Sequence, residues 1–281
     1  MRKLTALLFL LFVGIGLFSM GFDEVSVMTG GNTVGFVPGT PLISMNPAWL
    51  VNAKKWGFDV QVSNLWDLDS SPASWFEISF LQPYENGFAG YLSFSRSLES
   101  DVEEQAFSYA LAGYANASTS YGLKLSWLRY TEDATPVDAL NVGFGIRGLI
   151  GDVTAYNIFV KDFTTWSSRG IVDAGQMGVG IEFLLPFTLG MEFGVRRSRI
   201  WYAGFSGGFS IGEVLYMRGG TSLNLSISDP QRSDVLLGGG MELFLEDFDL
   251  SLGVVGSVLQ GSNGSSLGFD VIFSISASAL W

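Results

Sequence analysis

Glu182 and Glu192 stand on either side of a turn signal, Leu185-Pro186-Phe187-Thr188. Both share a register with small residues, Gly178, Gly180, Gly190 and Gly194, while Met177, Val179, Ile181, Phe183, Leu189, Met191, Phe193 and Val195 alternate with them. A two-residue period puts these sets on opposite faces of a β-hairpin. A tight turn then sets Glu182 opposite Glu192 or on the near diagonal, both turned away from the apolar face. Two carboxylates so placed repel unless a cation intervenes. Carried through the next turn signal, Gly212-Glu213, the register brings Arg218 near Ser206, which lies beside Glu192, and Glu242 arrives from the following strand. The spacing therefore predicts one buried network of Glu182, Glu192, Arg218 and Glu242. It serves either as a polar clamp that rigidifies a narrow fold or as a site for a substrate headgroup. Because buried charges are kept only when paired, the clamp is preferred.

Other chemistry is limited by what the chain lacks. It has no His and no Cys. The usual general base near neutral pH, thiol nucleophiles, His- or thiolate-ligated metals and disulfides are all excluded. No catalytic residue, metal site or cofactor is expected. Gly143-Phe144-Gly145-Ile146-Arg147-Gly148 fits the G-x-G-x-x-G spacing, but a dinucleotide site needs a strand before it and a helix after it. Here the motif itself alternates, with Gly143, Gly145 and Arg147 on the polar face, and a turn leads straight into another strand. Arg196, Arg197 and Arg199 form a basic cluster, suited to an eyelet, to a rim that holds anionic lipid, or simply to offsetting nearby acids.

The elements that must position these residues are amphipathic strands. The stretch Leu267–Trp281 alternates almost without a break: Leu267, Phe269, Val271, Phe273, Ile275, Ala277, Ala279 and Trp281 on one face, mostly Ser, Gly and Asp on the other. One face suits hydrocarbon and the other water; an edge strand of a secreted β-sandwich is the bland alternative. From Trp56 onward the same pattern recurs, including Trp56/Phe58/Val60/Val62, Leu123/Leu125/Trp127 and Phe248/Leu250/Leu252/Val254. The count is about fourteen strands, an even number of the length a tilted membrane strand needs. Short connections (Gln82–Gly87, Ala115–Ser118, Ile150–Asp152, Leu185–Phe187, Gly212–Glu213, Glu246–Asp247) alternate with longer ones (Asp67–Ala73, Ser97–Glu103, Thr131–Val137, Asp162–Ile171, Ser228–Ser233, Gln260–Ser266). The fold class expected is all-β: a transmembrane antiparallel β-barrel with short periplasmic turns and longer outer loops.

Composition agrees. Hydrophobic residues make up 48% of 281, yet beyond the N-terminus no apolar run is long enough for a membrane helix. The excess of 27 Asp and Glu over 15 Lys and Arg argues against a nucleic-acid partner, which would need a basic face. Residues 1–21 read as a signal peptide: Arg2 and Lys3, an apolar Leu4–Phe18, then small residues that favour cleavage after Gly21, or else after Ser19. Removing those two cations leaves 27 acids against 13 bases, a formal −14. Residues 22–55 lack clean alternation and are punctuated by Gly and Pro, but are too apolar for a solvated tail. They are expected to form a plug inside the barrel of residues 56–281. Within the plug, Asn46 suits an N-cap and Pro47 the first helical position, so Ala48–Lys55 should form a short helix of about two turns.

The segment Met45-Asn46-Pro47-Ala48-Trp49-Leu50, just ahead of the first strand, resembles the Asn-Pro-Ala-Gly-Leu signature of the FadL-like superfamily of outer-membrane barrels, with Trp49 in place of the Gly. The superfamily includes long-chain fatty-acid and hydrocarbon channels and the PorV/PorQ-like proteins of type IX secretion. The signal peptide and the aromatic Trp281 are similar too. The resemblance implies a monomeric barrel in the bacterial outer membrane, inserted by its assembly machinery and surrounded by lipid. It further implies passive passage of apolar small molecules such as fatty acids, with Asn46, Pro47, Ala48, Trp49 and Leu50 lining or gating the route. A PorV-like barrel that hands secreted proteins to a surface machine, and a purely structural barrel, are the competing readings.

Overall fold

The computed structural model describes residues 46–66, 73–97, 104–132, 135–170, 175–196, 200–226, 233–246, 248–259 and 268–281. The expected signal peptide, the first part of the expected plug and most of the expected outer loops lie outside them. Fourteen strands follow one another: β1 (Gly57–Trp66), β2 (Ala73–Glu85), β3 (Phe88–Ser97), β4 (Gln105–Asn116), β5 (Thr119–Glu132), β6 (Thr135–Ile150) and β7 (Thr154–Ser167), then β8 (Gln176–Leu184), β9 (Phe187–Arg196), β10 (Ile200–Ile211), β11 (Leu215–Ser226), β12 (Asp234–Leu245), β13 (Phe248–Leu259) and β14 (Gly268–Leu280). Each pairs antiparallel with its sequence neighbours, and β14 pairs with β1 from Gly57↔Leu280 to Trp66↔Val271. The sheet is a closed barrel with no free edge, so every strand finds its ladder partners within the protein.

The two-residue period decides which way each strand faces. On β5, Tyr121, Leu123, Leu125 and Trp127 are exposed on the outside, whereas Ser120, Gly122 and Ser126 are buried inside. On β8 and β9 the outer set is Met177, Val179, Ile181, Phe183, Leu189, Met191 and Phe193. A closed barrel that presents large apolar side chains outward around its wall is a membrane-spanning surface. Among the described residues no helix is long and apolar enough to cross a membrane.

Turn chemistry fixes the short connections. At β2–β3 the hairpin turns on Asn86-Gly87, both at positive φ (54° and 98°), the two-residue turn whose twist matches the strands it joins. Two connections differ from expectation. The longer loop expected at Thr131–Val137 is instead mostly strand, because β5 and β6 stay paired out to Glu132↔Thr135. Pro136 is tolerated there because it lies at the very start of β6. The loop expected from Asp162 onward is also strand: β7 kinks at Asp162 (φ 54°) and then runs on to Ser167. The β6–β7 register shifts there, and β8 pairs with β7 only over Thr154–Lys161.

The helix expected over Ala48–Lys55 is shorter and tighter, a 3-10 turn at Pro47–Asn52. Ala53 returns to extended backbone, where its carbonyl accepts from the Tyr84 amide of β2 at 3.3 Å. That pairing outcompetes a second helical turn, and Lys54 and Lys55 are left exposed.

Candidate functional site

The 3-10 turn sits against the inner face of the barrel. Asn46 holds the extended conformation of an N-cap, and its Oδ1 accepts from the Ala48 amide at 3.0 Å, with Pro47 at the first position, where a missing N–H costs nothing. Asn46, Pro47, Ala48, Trp49 and Leu50 are all buried. Two glycines make the seat. A Cβ built on Gly145 of β6 would overlap Asn46 Oδ1, and one on Gly122 of β5 would overlap the Pro47 carbonyl. The alternation of β5 and β6 turns both positions inward, so the G-x-G spacing of Gly143-Phe144-Gly145 serves to admit backbone, not a dinucleotide.

A polar circuit ties this turn to the wall. Asn46 Nδ2 donates to Asn157 Oδ1 of β7 at 3.4 Å, and Asn157 Nδ2 donates to Glu182 Oε1 of β8 at 2.7 Å. The other carboxylate oxygen of Glu182 accepts from Arg147 of β6 at 3.3 Å. The Arg147 guanidinium lies 4.2 Å from the centre of the Trp49 ring, a cation–π contact that returns to the turn where the circuit began. Glu182 is 0% exposed. A buried carboxylate is tolerable only with donors on its oxygens, and here each oxygen has one.

The other sequence-derived acids lie along the same inner wall. Glu182 pairs with Gly190 and Glu192 with Gly180, so the two carboxylates occupy the near diagonal of β8 and β9. Glu192, fully buried, accepts from the Tyr202 hydroxyl of β10 at 2.5 Å. Arg218 of β11 is paired with Gly208, two residues along from Ser206. It closes on Glu242 of β12 through Nε at 3.0 Å and a second, shorter contact. The four residues are thus all buried on one inner face, with the cation of Glu182 being Arg147 and that of Glu242 being Arg218. Arg147 is the member that sequence reasoning missed. The available signal was its inward phase beside Gly143 and Gly145. Glycines again make room: a Cβ on Gly178 would meet the Tyr202 hydroxyl and the Phe159 ring, one on Gly194 the Tyr202 ring, and one on Gly208 the Tyr216 phenol. Of the basic cluster, Arg196 stacks on Tyr202 at 4.2 Å and donates to Asn224 at 2.7 Å, a wall contact; Arg197 and Arg199 lie outside the described residues.

The inner wall changes character along its height. Toward the short-turn end, Leu50, Val51 and Ala53 pack on Leu81, Ala89, Tyr91, Ala110 and Ala112 in a buried apolar cluster. Further along β3–β5 the inward positions are hydroxyls, including Ser93, Ser95, Ser108 and Ser126, with Ser108 and Ser126 hydrogen-bonded to each other at 2.8 Å. Among the described residues no three carboxylates are grouped to hold a metal ion. The arrangement can therefore hold a helical turn and present apolar surface beside it.

No family model matches the chain, and no curated protein matches its sequence. Solved structures match its fold. A FadL homologue from Pseudomonas aeruginosa superposes with a TM-score of 0.65 at 10% identity, covering 94% of this chain and 99% of that one. The monoaromatic hydrocarbon channel CymD gives 0.67 at 10% identity over 93% of this chain and 98% of its own. The toluene transporter TbuX of Ralstonia pickettii gives 0.66 at 11% identity, over 93% and 98%. The likeness to FadL-like barrels implied by the Asn46-Pro47-Ala48 segment thus holds at the level of the fold.

Proposed function

We propose that the protein is an outer-membrane channel that passes apolar small molecules passively, with the turn at Asn46–Leu50 lining or gating the route. On this reading residues 1–21 are removed as a signal peptide, residues 22–55 form the plug, and residues 56–281 form a monomeric barrel. Hydrocarbons and fatty acids are the substrate class, by analogy with the channels whose fold it shares. The observation that carries the reading is the apolar cluster around Leu50 and Val51. Inward positions of a β-barrel are ordinarily polar, yet here Leu81, Ala89, Tyr91, Ala110 and Ala112 make the inner wall apolar where the turn meets it.

The test is flux in liposomes that contain the purified protein, followed with a radiolabelled monoaromatic hydrocarbon and with a fatty acid. Leu50→Asp, which places a charge in the apolar cluster, should slow the flux without changing barrel assembly. Equal flux through protein-containing and empty liposomes would remove the channel. A structural barrel is the second reading, favoured by the two buried ion pairs, which suit a rigid wall.

A further inference from the structure

We infer that Glu182 is a positioning residue for the luminal turn, a latch that fixes both ends of Asn46–Trp49 at once. The inference concerns how the turn is held, whatever crosses the barrel, and does not depend on the proposed channel.

It follows from the direction in which the hydrogen bonds must run. An ionised carboxylate only accepts, so Asn157 has to present its amide NH₂ to Glu182. That orientation leaves Asn157 Oδ1 facing Asn46, which must then present its own NH₂. Asn46 Oδ1 is thereby aimed at the Ala48 amide, the one group it must reach to cap the turn. One carboxylate thus orients two amides in series and sets the N-cap from a strand more than a hundred residues away. Its second oxygen holds Arg147, and Arg147 lies over Trp49 on the same turn. Glu182 reaches the start of the turn by the amide relay and the ring of Trp49 by the guanidinium. The glycine seats at Gly122 and Gly145 determine where the turn rests. The Arg218–Glu242 pair, by contrast, has the same chemistry on the same wall but stands on β11 and β12, three and four strands round from Glu182 on β8.

The chain has no cysteine, so a single introduced thiol reports cleanly. Ala48→Cys puts that thiol on the turn at a position with no exposed surface. Labelling of the folded, detergent-purified protein by a maleimide should be slow in this background. It should become at least about tenfold faster when Glu182→Gln is added, the scale of losing hydrogen bonds to a charged group. Asn157→Ala, which cuts only the amide arm and leaves the capping residue in place, should also accelerate it and serves if Glu182→Gln does not assemble. Glu242→Gln, which weakens the wall elsewhere, should leave labelling slow. Slow labelling with Glu182→Gln or with Asn157→Ala would overturn the latch, and so would equal acceleration by Glu242→Gln. Loss of hydrocarbon flux is a separate readout, so failure of the channel leaves this result untouched.

Discussion

Asn46 and Asn157 are hydrogen-bonded at 3.4 Å although 111 residues separate them in the chain. The contact joins the segment ahead of β1 to the far wall of the barrel. It also merges two features that look unrelated in the sequence, the Asn-Pro-Ala segment and the buried acids.

The glycine seat is the sharpest steric constraint on that junction. Gly145→Ala should cost about 1–3 kcal/mol in unfolding free energy, the usual range for over-packing. The Cβ would meet a backbone-anchored Asn46 side chain, which has little room to move. Urea unfolding in detergent, read by tryptophan fluorescence, measures the loss. Gly151→Ala, in an open turn with nothing near its Cβ position, tests only the backbone strain of a positive φ.

Arg218 and Glu242 form a buried pair, so removing one partner strands the other. Arg218→Met should destabilise the barrel by about 3–5 kcal/mol. Pairing it with Glu242→Leu should restore most of that loss, since two apolar groups carry no uncompensated charge. Equal instability of the single and double variants, by the same unfolding measurement, would mean that shape, not charge, dominates at this position.

Leu125 faces outward on β5. Leu125→Arg should cost about 2–4 kcal/mol if that face lies at the bilayer midplane. Folding titrations into phospholipid vesicles check it, with Arg129→Lys, an exposed cation near the end of the same strand, expected to be neutral.

Residues 22–55 should resist protease added to the periplasmic side, because their end at Asn46–Val51 is buried within the barrel. Spheroplasts treated with a protease and probed for the N-terminus measure this. Rapid cleavage ahead of Asn46 would make the upstream part a tail.

Local rules made much of this legible in the sequence. The two-residue period located the strands and their outward faces, Pro47 and Asn46 marked the turn, and the short hairpin after Leu184 placed Glu182 and Glu192 on a near diagonal. Register counting fails where the ladder is irregular. The short turn after Ile150 carries Arg147 to Asn157 in an unbroken register, but β7 kinks at Asp162 and runs on to Ser167 before β8 begins, so no sequence count could carry Asn157 across to β8 and Glu182. The turn Gly212–Val214 is three residues long, one more than the two-residue turn assumed, which moves the partner of Arg218 by one position, from Gly207 to Gly208 and away from Ser206. The packing of Tyr202 over Gly178 and Gly194 depends on three strands meeting, which no single stretch encodes.

Native mass spectrometry of the protein extracted from its own membrane tests the central claim most directly. An apolar, lipid-like molecule retained by the wild type and lost from Leu50→Asp is the expected result for a channel whose apolar wall meets the luminal turn. A ligand-free barrel, or one that carries a stoichiometric partner protein, would contradict it, the former in favour of a structural role and the latter of a secretion shuttle.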